Sequence, residues 1–159
     1  MVISCCIQSM GGFNDFNNCF DFYYLANGRY DLKSRTNVIE ANYICDMVFE
    51  HFKASKQSLG VVAFSDVQAR LIEDLIEERL TKNPEYLQYF SEECAEPFFV
   101  KNLETIQGDE RDVILISVGY GYDTEGKMSL NFGPLNQDGG ERRLNVLVTR
   151  AREKCVVFT

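Results

Sequence analysis

From Asn37 onward, apolar residues recur at helical spacing, give way to short unbroken apolar runs, and the two patterns alternate to the end of the chain. In NVIEANYICDMVFEHF, Ala41, Ile44, Cys45, Val48 and Phe52 fall on one side of a helix. Asn37 stands three residues before Glu40, the spacing of a reciprocal helix cap. LGVVAF is a short continuous apolar run, as expected of a strand covered on both faces. DVQARLIEDLIEERL predicts a second amphipathic helix with Val67, Leu71, Leu75 and Ile76 inward, and NPEYLQYF a short helix opening at Pro84. FFVKNL and DVILISVG read as further buried strands. A Gly-rich loop is expected from Tyr120 to Gly140. GERRLNVLVTRARE then reads as a helix with Leu144, Leu147, Val148 and Ala151 on one face, and KCVVFT as a closing strand.

Strands alternating with helices predict an α/β domain with a mainly parallel sheet. Functional groups in such sheets gather at the carboxyl ends of the strands, here after Phe64, Lys101 and Gly119. The first thirty residues break the pattern, with seven aromatics among several Asn and Gly. They are expected to pack as an irregular edge on a domain spanning residues 31–159.

The composition narrows the function classes. No apolar run approaches the roughly 20 residues that span a bilayer, and MVISCCIQSM lacks the basic start and long apolar stretch of a signal peptide. The six cysteines include no C-x-x-C pair and the chain has one histidine, which argues against a zinc site and a disulfide framework. The expectation is a reducing, cytoplasmic setting with no membrane association and no metal ligated by this chain. A net charge of −8 disfavours nonspecific nucleic-acid binding. Five of the sixteen basic residues nevertheless fall between residues 142 and 154, so the positive charge is concentrated.

Residues 121–128, GYDTEGKM, nearly match the phosphate-cradling pattern G-x-x-x-x-G-K-[ST], with Met128 in place of the hydroxyl that binds magnesium. The following SLNFGPLNQDGG has no helical period, so no helix N-terminus would face a phosphate. The stretch reads better as a turn, with Gly126 at positive φ.

Its neighbours are more specific. LETIQGDERDVILISVGYG and ERRLNVLVTRAREKCVVF resemble motifs V and VI of superfamily 1 helicases, closest to the branch of the nonsense-mediated-decay helicases and their bacterial relatives. Thr105, Gln107, Gly108 and Glu110 match Thr-x-Gln-Gly-x-Glu, and residues 144–152 match L-N-V-x-x-T-R-A-R. LGVVAFSDVQARLIEDL looks like motif IV, and SRTNVIEA resembles the Asn-x-x-Glu-Ala helix start before it. The resemblance runs from about Leu25 to Thr159 and implies the second of two RecA-like domains, an α/β fold with helices on both faces of the sheet. The first, P-loop-bearing domain of the same full-length protein would then be a partner, holding most of the ATP and Mg²⁺.

By that resemblance Arg150 is the arginine finger, a group that contributes about 10³–10⁵ in rate to phosphoryl transfer. Gln107, Gly108 and Glu110 would contact the nucleotide, with Arg152, Gln68 and Arg70 as further contacts. Arg152 could equally serve as a brace through a carboxylate. Thr105 would contact the phosphate of single-stranded DNA or RNA, positioning the strand without reading sequence. Relatives commonly place an Arg directly after the motif IV Gln. Here Ala69 follows Gln68 and Arg70 comes one place later, a shift of about 100° on a helix. The resemblance therefore implies half of an ATP-driven translocase or helicase, inactive as an ATPase without its other half. The competing reading is a stand-alone, non-catalytic RecA-like module that binds a protein or nucleic-acid partner.

Overall fold

The computed structural model describes residues 2–6, 19–91, 93–128 and 132–159. Six strands, β1 (Val2–Cys6), β2 (Cys19–Leu25), β3 (Leu59–Ala63), β4 (Phe99–Asn102), β5 (Arg111–Ser117) and β6 (Ala151–Phe158), form one sheet in the order β1-β2-β6-β5-β3-β4. All neighbours are parallel except β1, which runs antiparallel along β2.

β3 and most of β5 are buried on both faces, which explains their unbroken apolar runs. Alternate residues divide between two cores. Leu59, Val61, Ala63, Val113, Leu115, Val156 and Phe158 face α1 (Val38–Ala54) and α2 (Asp66–Lys82). Val62, Ile114, Ile116, Cys155 and Val157 face the other way, toward Leu103, Ile106, Tyr120 and Leu147 of α3 (Gly140–Val148). The expected RecA-like α/β arrangement, a mainly parallel sheet with helices on both faces, is what the chain adopts. No helix among the described residues is long and apolar enough to cross a membrane.

Four local readings change. α2 buries Gln68, Ala69, Ile72 and Ile76, while Val67, Leu71 and Leu75 are only half-buried. Its inward stripe is thus rotated from the expected one, because a glutamine with internal partners occupies a core position. α3 stops at Val148 and β6 begins at Ala151, paired with Arg111, so Ala151 and Arg152 lie on a strand. Leu144 is exposed rather than inward. The sheet also begins before residue 31: β2 pairs in parallel with β6, Tyr23 stacks on Phe158 at 5.3 Å, and buried Asp21 pairs with Lys154 at 2.7 Å.

The GYDTEGKM stretch is a turn. The Asp123 carboxylate accepts from the amides of Glu125 at 2.9 Å and Lys127 at 2.8 Å, and Gly126 has φ 78°. Those amides are already bonded to an acid of the chain, so they cannot cradle a phosphate.

Candidate functional site

The connection between β4 and β5, residues 103–110, contains no helix. It descends one face of the sheet from the carboxyl end of β4 to the amino end of β5, pinned by the buried side chains of Leu103 and Ile106. α3 descends the same face beside it and ends just before β6, the hydrogen-bonded neighbour of β5. The two descents therefore deliver Glu110 and Arg150 to adjacent strand starts. The Arg111 amide donates to the Arg150 carbonyl at 3.1 Å, and an Arg150 Nη1 lies 3.5 Å from Glu110 Oε1. Arg150 Nε also donates to the Val146 carbonyl at 3.0 Å and Nη2 to Thr149 Oγ1 at 3.3 Å, which fixes the guanidinium plane.

Between connection and helix lies a cavity of about 540 Å³ lined by Gln107, Arg142, Arg143, Val146 and Arg150 among others. Three guanidinium groups and one carboxamide suit the oxygens of a phosphate chain, while Glu104, which also lines the cavity, opposes one at its own end. Gly108, at φ 92°, has open space where a side chain would stand, so the backbone can be approached closely there. The cavity runs down the face between the two descents, from Leu103 and Glu104 just after β4 to Arg150 just before β6, so it reaches from the carboxyl ends expected of parallel-sheet proteins to the amino ends of β5 and β6. The reason is that both connections cross a whole face. Arg142 and Arg143 were not singled out individually; their signal was the concentration of positive charge near the end of the chain.

Gln68, Arg70 and Arg152 do not join this group. Gln68 is fully buried at the start of α2: its Oε1 accepts from the Asn37 amide at 2.8 Å, and its Nε2 donates to the Asn37 carbonyl at 3.1 Å and Ser117 Oγ at 3.2 Å. Arg70 is exposed on α2, across the sheet from Arg150, and pairs with Asp66 at 2.9 Å. Ala69 is buried, so the place where relatives carry an arginine faces the core here. Arg152 points away from Ala151, whose side chain joins the α3-side core. It pairs with Glu96 at 2.5 Å and Asp112 at 3.0 Å and donates to Ser58 Oγ at 3.0 Å. Its hydrogen bond holds the Glu96 carboxyl below the ordinary carboxylate range. This brace ties β6 to the loop before β4 and to β5 rather than to the helix.

Glu40 completes the Gln68 network. Asn37 caps α1 by accepting from the Glu40 amide at 3.1 Å, but the carboxylate does not reciprocate to the Asn37 amide, which Gln68 has taken. Instead Glu40 Oε1 accepts from Ser117 Oγ at 2.6 Å and the Gly119 amide at 2.8 Å. Burial pushes the Glu40 carboxyl up to about 7, against the opposing pull of these two bonds. One buried cluster thus locks the starts of α1 and α2 to the end of β5.

At that same carboxyl edge is a second cavity, of about 260 Å³, bounded by Tyr30, Arg35, Phe64, Glu104 and Tyr120 among others. Thr105 stands beside it, exposed, in a turn where the Asn102 side chain accepts from its amide at 2.9 Å and its hydroxyl at 3.0 Å. Thr105 and Glu110 stand toward opposite ends of one connection, and Glu104 lines both cavities.

The family model described as an AAA domain, AAA_12, matches residues 18–159. The ATP-dependent helicase MG140 of Mycoplasma genitalium is 41% identical over 107 residues, covering 65% of this chain and 9% of that protein. Its homologue in Mycoplasma pneumoniae is 39% identical over the same shares of both chains. The chain thus spans about a tenth of the length of these relatives. Among solved structures, the DUF1998 helicase MrfA bound to DNA superposes with a TM-score of 0.51 at 14% identity, covering 89% of this chain and 19% of that one, a likeness of fold. With both motif segments inside the matched span, the chain belongs to the AAA_12 family, the family of superfamily 1 helicase C-terminal domains.

Proposed function

We propose that this chain is the second motor domain of an ATP-dependent superfamily 1 DNA or RNA helicase, supplying an arginine finger and part of the single-strand surface. The observation that carries the proposal is the convergence of Gln107 and Arg150 at one cavity from two connections separated in sequence, with Glu110 in contact with Arg150. ATP supplies a γ-phosphoryl group whose transfer depends on positioning and charge stabilisation. Arg150 is suited to the finger: its guanidinium is held by backbone and Thr149, is 20% exposed, and can exchange the 3.5 Å contact with Glu110 for a phosphate oxygen. Glu110 aims the finger before that exchange and is free afterwards to accept from a ribose hydroxyl. Gln107 and the open backbone at Gly108 complete the nucleotide contacts. Gln68 braces the starts of α1 and α2 against the end of β5, Arg152 braces β6 against β5 and the loop before β4, and Arg70 remains on the surface. Thr105 positions the single strand.

In this reading the phosphate grip and Mg²⁺ belong to a first RecA-like domain of the same cytoplasmic protein, because the Gly121 turn has its amides occupied. The test compares this chain alone with the complete polypeptide containing it. The chain alone should hydrolyse no ATP with or without single strand. In the complete protein, Arg150→Ala should lower strand-stimulated hydrolysis about 10³-fold or more while a non-hydrolysable ATP analogue still binds. Hydrolysis by the isolated chain that survives Arg150→Ala would overturn the proposal.

A further inference from the structure

The carboxyl-edge cavity has a chemistry that strand positioning at Thr105 does not use. Arg35 projects to it from the short loop closed by the Asp31–Thr36 bridge. Arg35 is the one non-glycine residue with positive φ, 57°, among the described residues. That conformation disfavours an L-residue by about 1–2 kcal/mol. The loop imposes it: the Arg35 amide donates to the Asp31 carbonyl at 2.7 Å, and the Asp31 carboxylate accepts from the Lys33 amide and Ser34 hydroxyl, each at 2.9 Å. The guanidinium so presented has no carboxylate within ion-pair distance among the described residues. The Glu104 carboxylate, on the lining of this cavity and of the larger one, likewise has no hydrogen-bond or ion-pair partner among them. Asp66, also on the wall, is engaged with Arg70.

A simple anion is a poor occupant, since Glu104 and Asp66 repel it, and a simple cation is opposed by Arg35. The walls between are aromatic, from Tyr30, Phe64 and Tyr120, with Tyr30 and Tyr120 rings 5.4 Å apart. A volume of about 260 Å³ has room for one planar heterocycle. The occupant that satisfies all three demands is a nucleotide, with phosphodiester at Arg35, ring against the aromatic wall and an amino-bearing edge at Glu104.

Resting on the single-strand reading above, we propose that this cavity seats one base of the bound strand and that Glu104 disfavours thymine and uracil there. A carboxylate accepts hydrogen bonds and donates none. Cytosine, adenine and guanine offer it exocyclic amino groups, whereas thymine and uracil offer a single ring N–H flanked by two carbonyl oxygens that it repels. The strand is thus positioned by its phosphates and filtered, at one nucleotide, by its base.

The experiment measures binding of this chain to fluorescein-labelled dC₁₂ and dT₁₂ by anisotropy across a salt series. The expected result is dC₁₂ bound about tenfold more tightly than dT₁₂. Glu104→Gln introduces an amide that can donate to the thymine carbonyl, so the ratio should fall to about one or reverse without loss of total affinity. Arg35→Ala should weaken both oligonucleotides alike and lower the salt slope by about one phosphate's share, ~0.7. Equal binding of dC₁₂ and dT₁₂ by the unaltered chain, or a ratio unmoved by Glu104→Gln, overturns the base seat. If binding is still weakened by Thr105→Ala in that case, the single-strand reading stands without it. If neither oligonucleotide binds the chain or the complete helicase, both readings fall together.

Discussion

Replacing Glu40 with glutamine probes a buried carboxyl that holds its proton unusually late. Burial lifts the group from its ordinary 4.5 to about 7 in the folded chain, while in the unfolded chain it titrates near its ordinary value. Between those two values the folded state keeps a proton that the unfolded state has released. Stability falls with rising pH wherever the folded state binds more protons. At about 1.4 kcal/mol per pH unit, the contribution comes to roughly 3 kcal/mol. It is fully present below the ordinary value of 4.5 and lost as pH rises through about 7. For a chain of this size that corresponds to a shift of ~6–12 °C in midpoint. Glutamine keeps an oxygen for Ser117 and Gly119 but sets its own –NH₂ toward the Asn37 –NH₂ that lies 3.4 Å from Glu40 Oε2. That mismatch should subtract about 1 kcal/mol at every pH. Thermal unfolding followed by far-ultraviolet circular dichroism at several pH values from 4.5 to 8 measures both proteins. The difference between them isolates Glu40, since every other acid titrates in both. The variant should gain about 3 kcal/mol on the unaltered chain across that range. A difference that does not change with pH would refute the reasoning.

Gln68→Ala should destabilise the chain by ~2–4 kcal/mol in urea unfolding, because it opens a cavity, strands the Asn37 amide and removes one of the two bonds of the Ser117 hydroxyl, which keeps Glu40. Arg152→Met should lower stability by at most ~1 kcal/mol in a salt-dependent way, as befits half-exposed ion pairs, while strand-stimulated hydrolysis in the complete protein stays within about twofold. This sets it apart from Arg150→Ala in the same assay. Gly140→Ala should loosen α3, since a Cβ there would stand 2.0 Å from the Leu135 carbonyl oxygen; amide hydrogen exchange over residues 140–148 should accelerate at least tenfold, with β3 and β5 protection retained.

The buried parallel strands and α1 were legible because their apolar runs and helical period are local properties of the sequence. The direction of α2 was not: Gln68 reads as an outward polar residue unless Ser117, 49 positions later, is known to face it. The border between α3 and β6 was hidden for a similar reason. The apolar spacing of Leu144, Leu147 and Ala151 continues a helix on paper, yet Ala151 is claimed by the ladder to Arg111. β2 escaped because CFDFYYL is aromatic on both faces and its one acid is buried against Lys154, so neither alternation nor an apolar run announces it. Of the candidate site, the convergence of Gln107, Glu110 and Arg150 was implied by motif resemblance, while the bracing roles of Gln68 and Arg152 depend on contacts across the sheet.

The connection of residues 103–110 has little slack. From Asn102 to Arg111 it must cover about 20 Å along the strands and two strand spacings sideways, roughly 22 Å in all. Its nine virtual bonds reach about 30 Å when straight, and two turns, Asn102–Ile106 and Ile106–Asp109, take up much of the remainder. Leu103 and Ile106 are its buried pegs. A tether of this kind cannot absorb a displacement at the Glu104 end by going limp. Either a peg leaves its seat, at the cost of burial, or the pull arrives at Gln107 and Glu110 and re-aims Arg150.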